Sequence, residues 1–225
     1  MKRRLMISAL MVAVTTMIAP IAASASFIGF DQGGRTAWEA AVGSFTGVDL
    51  PGAANTSLGA YTEIALPYGG VFRTNESLAR VDVGNGWFTW NPYIPGTELL
   101  AQFAADSNGN YVANFNFWPS GPDVPVSSSF GFEAEPNVLD PFFILLYTPQ
   151  GELYQLVDGD GGAKFFGWVD EEVLGFSVIS YAGSGGFAMG RFVEGTAAVP
   201  EASTLLLLGS GLVGLVAYRR TKRMA

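Results

Sequence analysis

The sequence contains no cysteine and no histidine. Without cysteine there are no disulfides, thiol nucleophiles or iron–sulfur clusters, so the fold must be held together by its core alone. Without histidine there is no Ser-His-Asp triad and no His-ligated zinc site, and the commonest general base is missing. The catalytic chemistry that stays open is that of paired carboxylates, as in glycoside hydrolysis.

Basic residues are also scarce outside the two ends of the chain. The ends hold seven of the 12 Lys and Arg residues but only one of the 20 acids, Glu201. The middle, residues 26–198, therefore has five basic and 19 acidic side chains and a net charge of −14. Such a charge disfavours nucleic acid and anionic lipid as partners, favours solubility, and suits divalent cations.

The first 25 residues have the three parts of a secretory signal peptide. A basic start is followed by apolar residues 5–21 and by the small residues Ala23 and Ala25 of a cleavage site. Pro20 breaks the apolar helix just before these small residues, which favours cleavage over a permanent membrane anchor. The sequence therefore predicts a signal peptide over residues 1–25, removed by signal peptidase, and a mature start at Ser26.

The chain end contains the pattern Gly-x-Gly-x-x-Gly, from Gly209 to Gly214. In a dinucleotide-binding loop this pattern closes a strand-to-helix turn, and an acid about 20 residues later holds the ribose. Only 11 residues follow Gly214, and they carry basic side chains in place of the acid. The sequence therefore argues against a nucleotide cofactor here.

The same glycines lie in a run of 17 uncharged residues between Glu201 and Arg219. As a helix this run spans roughly 25 Å, slightly less than the hydrocarbon core of a bilayer, and local thinning absorbs the difference. A buried core helix is the alternative. Because four of the five residues from Arg219 to Arg223 are basic, we favour a membrane-spanning helix with its C-terminal end in the cytoplasm and the rest of the chain outside.

The tail resembles the PEP-CTERM sorting signal of exported Gram-negative bacterial proteins. That signal has a Val-Pro-Glu-Pro-Ser-Thr core, one hydrophobic helix and an arginine cluster. The matching residues here are Val199, Pro200, Glu201, Ala202, Ser203, Thr204, Arg219 and Arg220, with Ala202 in place of the second proline. The resemblance implies that an exosortase, a membrane protease, recognises the tail and removes the helix after export through the inner membrane. It also implies a place at the cell surface or in an extracellular exopolysaccharide matrix, as in biofilms.

Residues 26–198 suit a single domain in length, and their pattern predicts β-structure. Apolar and polar residues alternate over 111–117, as in a half-buried strand, and aromatic or β-branched runs at 141–148 and 174–182 predict central strands. Residues 36–43 predict a helix that Thr36 caps and Gly43 ends. The prediction is an all-β fold, an antiparallel, jelly-roll-like β-sandwich with one short N-terminal helix, flanked by the signal peptide and by the sorting signal with its transmembrane helix, residues 199–225.

Three segments of this domain, residues 35–50, 129–136 and 163–195, resemble single-domain, jelly-roll-like PEP-CTERM proteins. In those proteins a short helix precedes the first strand, a Phe-Gly-Phe strand lies mid-chain, and Phe-Phe-Gly leads into the closing hairpin. Their closing strand often has the pattern Gly-Phe-x-x-Asp, whereas Gly190 stands at the acidic position here.

Two groups of acids are candidates for the paired carboxylates of a polysaccharide hydrolase. One is Glu133 with Glu135, and the other is the run Asp170, Glu171 and Glu172. Glycosidases need two carboxyl groups at a fixed separation across the scissile bond, and neither group is clearly placed in that way. Solvated acids on an acidic surface are therefore the favoured interpretation, and we expect no catalytic residue.

Two acidic turns are candidates for Ca²⁺ binding, because hard cations need several oxygen ligands at once. One turn contains Asp106 and Asn108, and the other contains Asp158 and Asp160. Neither matches an EF-hand, and hairpin turns rich in Asp, Asn and Gly explain both segments more simply. We expect no cofactor, with Ca²⁺ as the open alternative.

Three tryptophans near predicted turns, Trp87, Trp90 and Trp118, are candidates for stacking on sugar rings. Trp87 and Trp90 differ by three positions, so on one strand they would face opposite sides and at least one would pack in the core. Three functions stay open: a non-enzymatic surface or matrix protein that binds exopolysaccharide, a polysaccharide hydrolase, and a purely structural matrix component. We favour the first.

Overall fold

The computed structural model describes residues 26–28, 34–118, 129–138, 140–160, 162–169 and 171–197. Helix α1 is Gly34–Ala41, and Ala182–Ser184 form a 3₁₀ turn. The strands in these ranges are β1 (Ser26–Ile28), β2 (Val42–Gly47), β3 (Thr56–Leu58), β4 (Glu63–Ala65), β5 (Val71–Thr74), β6 (Leu78–Val83), β7 (Gly86–Trp87), β8 (Glu98–Gln102), β9 (Tyr111–Trp118), β10 (Ser129–Pro136), β11 (Phe142–Thr148), β12 (Gly151–Val157), β13 (Lys164–Val169), β14 (Gly175–Ser180) and β15 (Phe187–Ala197).

The strands form two sheets that pack face to face, which confirms the predicted β-sandwich. Sheet A has the order β1-β13-β10-β15-β8-β6-β3, with β2 paired to the second half of β15 and β7 paired to β6. Sheet B has the order β12-β11-β14-β9-β5-β4. Neighbouring strands are antiparallel apart from β6 and β7.

The last eight strands follow a nested pairing scheme. The pairs are β8 with β15, β9 with β14, β10 with β13 and β11 with β12, and successive pairs lie in alternate sheets. A long hairpin folded over on itself in this way is a jelly roll. The predicted jelly-roll architecture is therefore confirmed, and the strands before β8 extend its two sheets.

Aromatic side chains fill the space between the sheets. Along β9, Ala113, Phe115 and Phe117 are buried while their neighbours are partly exposed, as the alternation predicted. Phe176 of β14 stacks on Phe115 and on Phe132, with ring centroids 4.7 Å apart in each pair. This aromatic packing holds the sandwich together in the absence of disulfides.

The outer face of sheet A is buried as well, because α1 lies across it. Trp38 of α1 is fully buried and donates a hydrogen bond from Nε1 to the backbone oxygen of Trp168 (2.8 Å). Its ring rests on two glycines of the sheet: a Cβ at Gly167 would lie 2.8 Å from Trp38 Cδ1, and one at Gly195 would lie 3.1 Å from Cη2. Glycine at these positions lets the helix approach the backbone of the sheet closely.

The predicted helix is confirmed, but its limits were wrong. It begins at Gly34, so Thr36 lies inside it, and β2 follows directly from Val42, so Gly43 lies in a strand and does not end the helix. Val42 is buried beneath the helix in the same apolar cluster as Trp38. Packing on the sheet therefore sets the end of α1.

The sandwich has two ends, which we call the base and the far end. At the base, β1 begins at Ser26, opposite Val169, and β15 finishes with Gly195 opposite Ser129 and Ala197 opposite Val42. At the far end, Gln102 at the end of β8 pairs with Phe187 at the start of β15. The connections β8–β9, β10–β11, β12–β13 and β14–β15 all lie at the far end.

In the described part of the chain, no helix is long and apolar enough to cross a membrane. The predicted signal peptide, residues 1–25, and the predicted sorting signal, residues 199–225, lie outside the described residues.

Candidate functional site

A groove of about 490 Å³ opens at the far end of the sandwich, and we call it the far-end groove. It lies where the β5–β6 and β8–β9 connections approach strand β9. The polar residues that line it are Asn75, Glu76, Ser77, Gln102, Asp106 and Asn114. Amide, carboxylate and hydroxyl groups that lie this close together can form hydrogen bonds with the hydroxyl groups of a sugar.

Glu76 and Asn114 form the wall of the groove. The carboxylate of Glu76 accepts hydrogen bonds from the backbone N–H of Asn114 (2.7 Å) and from its side-chain amide (2.5 Å). Ser177 donates to Asn114 Oδ1 (2.5 Å), and Tyr147 OH lies 2.9 Å from the hydroxyl oxygen of Ser177. This chain of contacts fixes both side chains, while a carboxylate has about four lone-pair sites and keeps some of them for a ligand.

Gln102 and Asp106 are also held in place. Gln102 donates from its amide nitrogen to the backbone oxygen of Val112 (3.0 Å) and accepts from the N–H of Ala104 (3.2 Å). Asp106 Oδ1 accepts from the N–H groups of Asn108 (2.8 Å) and Asn110 (2.9 Å). The groove is therefore preorganised, which lowers the entropic cost of binding a ligand.

Two exposed aromatic rings are next in sequence to lining residues of the groove. Tyr61 follows Ala60, is 65% exposed, and donates its backbone N–H to the oxygen of Thr74 (2.7 Å). Phe103 lies between Gln102 and Ala104 and is also exposed. The ring of Phe103 packs against Trp87, with centroids 5.7 Å apart, so Tyr61 is the ring that can stack on a sugar bound in the groove.

The tryptophans predicted to stack on sugar are placed differently. Trp87 and Trp90 are only 2% and 1% exposed, and both pack in one apolar cluster on the outer face of sheet A. At least one of the two was predicted to pack in the core, and in the structure both do. Neither ring is therefore available to stack on a sugar, because β7 ends at Trp87 and the chain then folds back over the sheet. Trp118 ends β9, and its side chain lies outside the described residues.

Glu135 lies under these two tryptophans and is fully buried. Its carboxylate accepts hydrogen bonds from the backbone N–H of Asn91 (2.8 Å) and from Trp87 Nε1 (3.4 Å). Burial raises the pKa of Glu135 above its usual value, and hydrogen bonds from Asn91, Thr89, Trp87 and Ala163 only partly oppose this effect. Glu135 therefore anchors the Trp87–Trp90 segment and has no access to a substrate.

The raised pKa of Glu135 makes its contribution to stability depend on pH. That contribution is complete below the pKa of the unfolded chain and is lost as the pH rises through the higher pKa of the folded state. We expect the melting temperature of Glu135→Gln, relative to that of the unaltered protein, to increase from pH 4 to pH 8, as measured by circular dichroism. Glu135→Ala should be destabilised at every pH by about 1–3 kcal/mol, because the buried Nε1 of Trp87 and the backbone N–H of Asn91 lose their acceptor. A constant difference between Glu135→Gln and the unaltered protein would contradict this assignment.

Glu133, the other member of the predicted carboxylate pair, is bound by two arginines. Its Oε1 lies 3.1 Å from Nη1 of Arg35 and 2.8 Å from Nη1 of Arg191. Arg35 also donates to Glu39 (2.8 Å) and to the backbone oxygen of Arg191 (3.2 Å). Glu133 thus ties α1 to the bulge of β15, where Arg191 has a φ of 50°.

The remaining candidate acids lie apart from the groove walls. Glu171 and Glu172 lie at the base, in the β13–β14 connection, and Asp170 is outside the described residues. Asp158 and Asp160 are exposed in the β12–β13 connection at the far end, where Asp158 Oδ1 accepts from the N–H of Asp160 (2.9 Å). Among the described residues, no group of three or more acids is placed to hold a metal ion.

Gly190 occupies the position where resembling proteins often have an acid. A Cβ there would overlap Leu99 of the neighbouring strand and lie 2.7 Å from the backbone oxygen of Glu98. An aspartate therefore does not fit on the backbone as it stands.

Sequence reasoning identified Asp106 but missed Glu76, Gln102 and Asn114. The alternation over residues 111–117 placed Asn114 on the polar face of a predicted strand. That position is the signal that could have identified Asn114 as a site residue. Glu76 is 38 residues away from Asn114, and only the pairing of β5 with β9 brings them together.

The chain end matches a known family model. Residues 198–223 match the family model described as the PEP-CTERM protein-sorting motif, which confirms the predicted sorting signal. The motif implies processing by an exosortase, and export with sorting to the cell surface or the extracellular space.

No curated protein matches the chain significantly. A solved structure, the hemagglutinin-esterase of porcine torovirus, is similar over 74% of this chain with 10% sequence identity and a TM-score of 0.31. This chain spans 42% of the length of that protein. So distant a likeness carries no argument about function.

Proposed function

We propose that this PEP-CTERM chain is a non-enzymatic protein of the cell surface or biofilm matrix of a Gram-negative bacterium, and that it binds exopolysaccharide. Before the exosortase acts, its tail helix anchors it in the inner membrane. The observation that carries the proposal is the far-end groove, with its fixed amides and carboxylates and the exposed ring of Tyr61 beside it.

The groove favours a neutral polysaccharide. Its ionisable lining residues, Glu76 and Asp106, are acids, and the domain has a net charge of −14. Sugar hydroxyls can donate to these carboxylates and accept from the amides, whereas an acidic sugar would be repelled. Retention on such a glycan should therefore change little with salt concentration, because screening acts on charge pairs.

Retention on the host's own exopolysaccharide tests the groove. We expect Tyr61→Ala and Glu76→Gln each to weaken retention by about 2–10-fold, the size of one stacking contact or one hydrogen bond. Tyr154→Ala is the matched control, because Tyr154 is 77% exposed on β12 and is not among the groove residues. Affinity electrophoresis of the processed protein measures all three variants.

Different outcomes would favour the other two functions. Equal losses in all three variants, or no retention of the unaltered protein, would favour a purely structural matrix role. Release of reducing ends from the polysaccharide would favour a hydrolase. We consider the hydrolase less well supported, because Glu133 is bound by two arginines and Glu135 is buried.

A further inference from the structure

We propose that in the membrane-anchored precursor the base of the sandwich faces the lipid surface, and that the far-end groove points away from the membrane. This inference rests on the tail helix of the proposed function. It is independent of whether the groove binds a glycan.

The chain leaves the fold at the base of the sandwich. Strand β15 stays paired until Ala197, which lies opposite Val42, and Thr196 Oγ1 lies 3.0 Å from Oγ of Ser44. The sorting motif begins at the next residue, 198. The folded domain therefore continues to the start of the motif without a spacer.

The chain that connects the domain to the uncharged run is too short to reach around the domain. The uncharged run begins at Ala202, so five Cα–Cα steps from Ala197 cover at most about 18 Å. Strand β15 has 11 residues and separates the base from the far end by about 33 Å. An inverted domain would need a connection that runs back along the whole strand, which this short segment cannot provide.

Two attachment points at the base limit the tilt of the domain. Ser26 begins β1 at the same end, and three strand spacings, about 14 Å, separate β1 from β15 in sheet A. Before the signal peptide is cleaved, the chain is thus attached at two points on one end. A net charge of −14 also disfavours a domain that lies flat on anionic lipid.

Fluorescence quenching in vesicles tests this orientation. The sequence has no cysteine, so single labels can be attached to Glu172→Cys at the base and Asn108→Cys at the far end, both exposed in connections between strands. The uncleaved full chain is reconstituted in vesicles of zwitterionic and anionic phospholipid that carry a headgroup quencher. We expect the label at position 172 to be quenched several-fold more than the label at position 108.

A longer tether provides the control. A flexible Gly/Ser insertion of about 30 residues after Ala197, with an average span of roughly 30 Å, should greatly reduce the difference between the two labels. Equal quenching of the two labels in the uninserted chain, or stronger quenching at position 108, would overturn the orientation. Failure of the full chain to float with vesicles would overturn it together with the proposed anchor. Glu76→Gln separates the two proposals. If this variant loses glycan retention but keeps the expected quenching difference between positions 172 and 108, the orientation is supported independently of the binding site.

Discussion

Replacing Trp38 with alanine is expected to lower the free energy of unfolding by about 3–5 kcal/mol, the usual cost of removing a large buried aromatic side chain. Trp38 is fully buried and is the centre of the cluster that joins α1 to sheet A. Its ring packs against Phe165 and Phe45, with centroids 5.8 and 6.0 Å away. Urea unfolding of the processed protein, followed by tryptophan fluorescence and circular dichroism, measures the change.

Two further variants separate the contributions of Trp38. Trp38→Phe keeps most of the apolar area but leaves the backbone oxygen of Trp168 without its donor, so we expect a smaller loss. Gly167→Ala should also destabilise the protein, because the new Cβ would lie 2.8 Å from Trp38 Cδ1.

The two sites should be coupled. In the double variant Trp38→Ala/Gly167→Ala the methyl group no longer meets Trp38, although it still lies 2.9 Å from Phe165 Cε1. The combined loss should therefore be smaller than the sum of the single losses. Additive losses would contradict the close contact between the ring and the sheet. A loss below about 1 kcal/mol for Trp38→Ala would contradict its place in a packed core.

The parts of the fold that could be predicted are those that follow from local patterns. Strands β9, β11 and β14 were predicted over 111–117, 141–148 and 174–182, and each lies within two residues of its predicted limits. Strand β9 shows alternation of apolar and polar residues, and β11 and β14 are runs of aromatic and β-branched residues, so each pattern is visible without its neighbours. The sandwich architecture followed from these strands and from the turns between them.

The second buried face of sheet A was not predictable in this way. All eight residues of β10 are buried, including Glu133 and Glu135, because α1 and the Trp87–Trp90 segment cover the outer side of the sheet. Reasoning from alternation assumes one core face and one solvent face. It therefore placed Glu133 and Glu135 at the surface and left one of Trp87 and Trp90 open as an exposed ring, whereas the structure buries all four.

The far-end groove could not be predicted because its residues come from separate strands. Glu76 follows β5, Gln102 ends β8 and Asn114 lies in β9. The three meet because the jelly roll places successive strands in opposite sheets and brings their connections to one end. Asp106 was identified because an acidic turn is a local pattern, but its predicted partner Asn108 offers only its backbone N–H to Asp106.

Glu133→Gln is expected to lower the free energy of unfolding by about 2–4 kcal/mol. This is slightly less than the usual cost of breaking a buried ion pair, because the two arginines that contact Glu133 are partly exposed to solvent. The substitution leaves Arg35 and Arg191 next to each other without the carboxylate that both contact. In this variant Arg35 still has its salt bridge to Glu39. Arg191 loses its salt bridge, because Glu133 is its partner among the described residues. We therefore expect the bulge of β15 to loosen first, which hydrogen exchange at residues 190–193 would detect.

Salt concentration and a surface pair show whether charge is the cause. Added salt should recover part of the stability of Glu133→Gln, because it screens the repulsion between the two guanidinium groups. Glu63→Gln is the matched control: Glu63 is exposed, lies 3.8 Å from Arg73, and should cost no more than about 0.5 kcal/mol. If Glu133→Gln were as stable as this control, Glu133 would be free of its structural role and open again as a catalytic acid. If Glu133→Gln is destabilised as expected, any change in glycan cleavage by this variant must be compared with that of Arg191→Gln. The Arg191→Gln substitution breaks the ion pair between Arg191 and Glu133 but leaves the carboxylate in place.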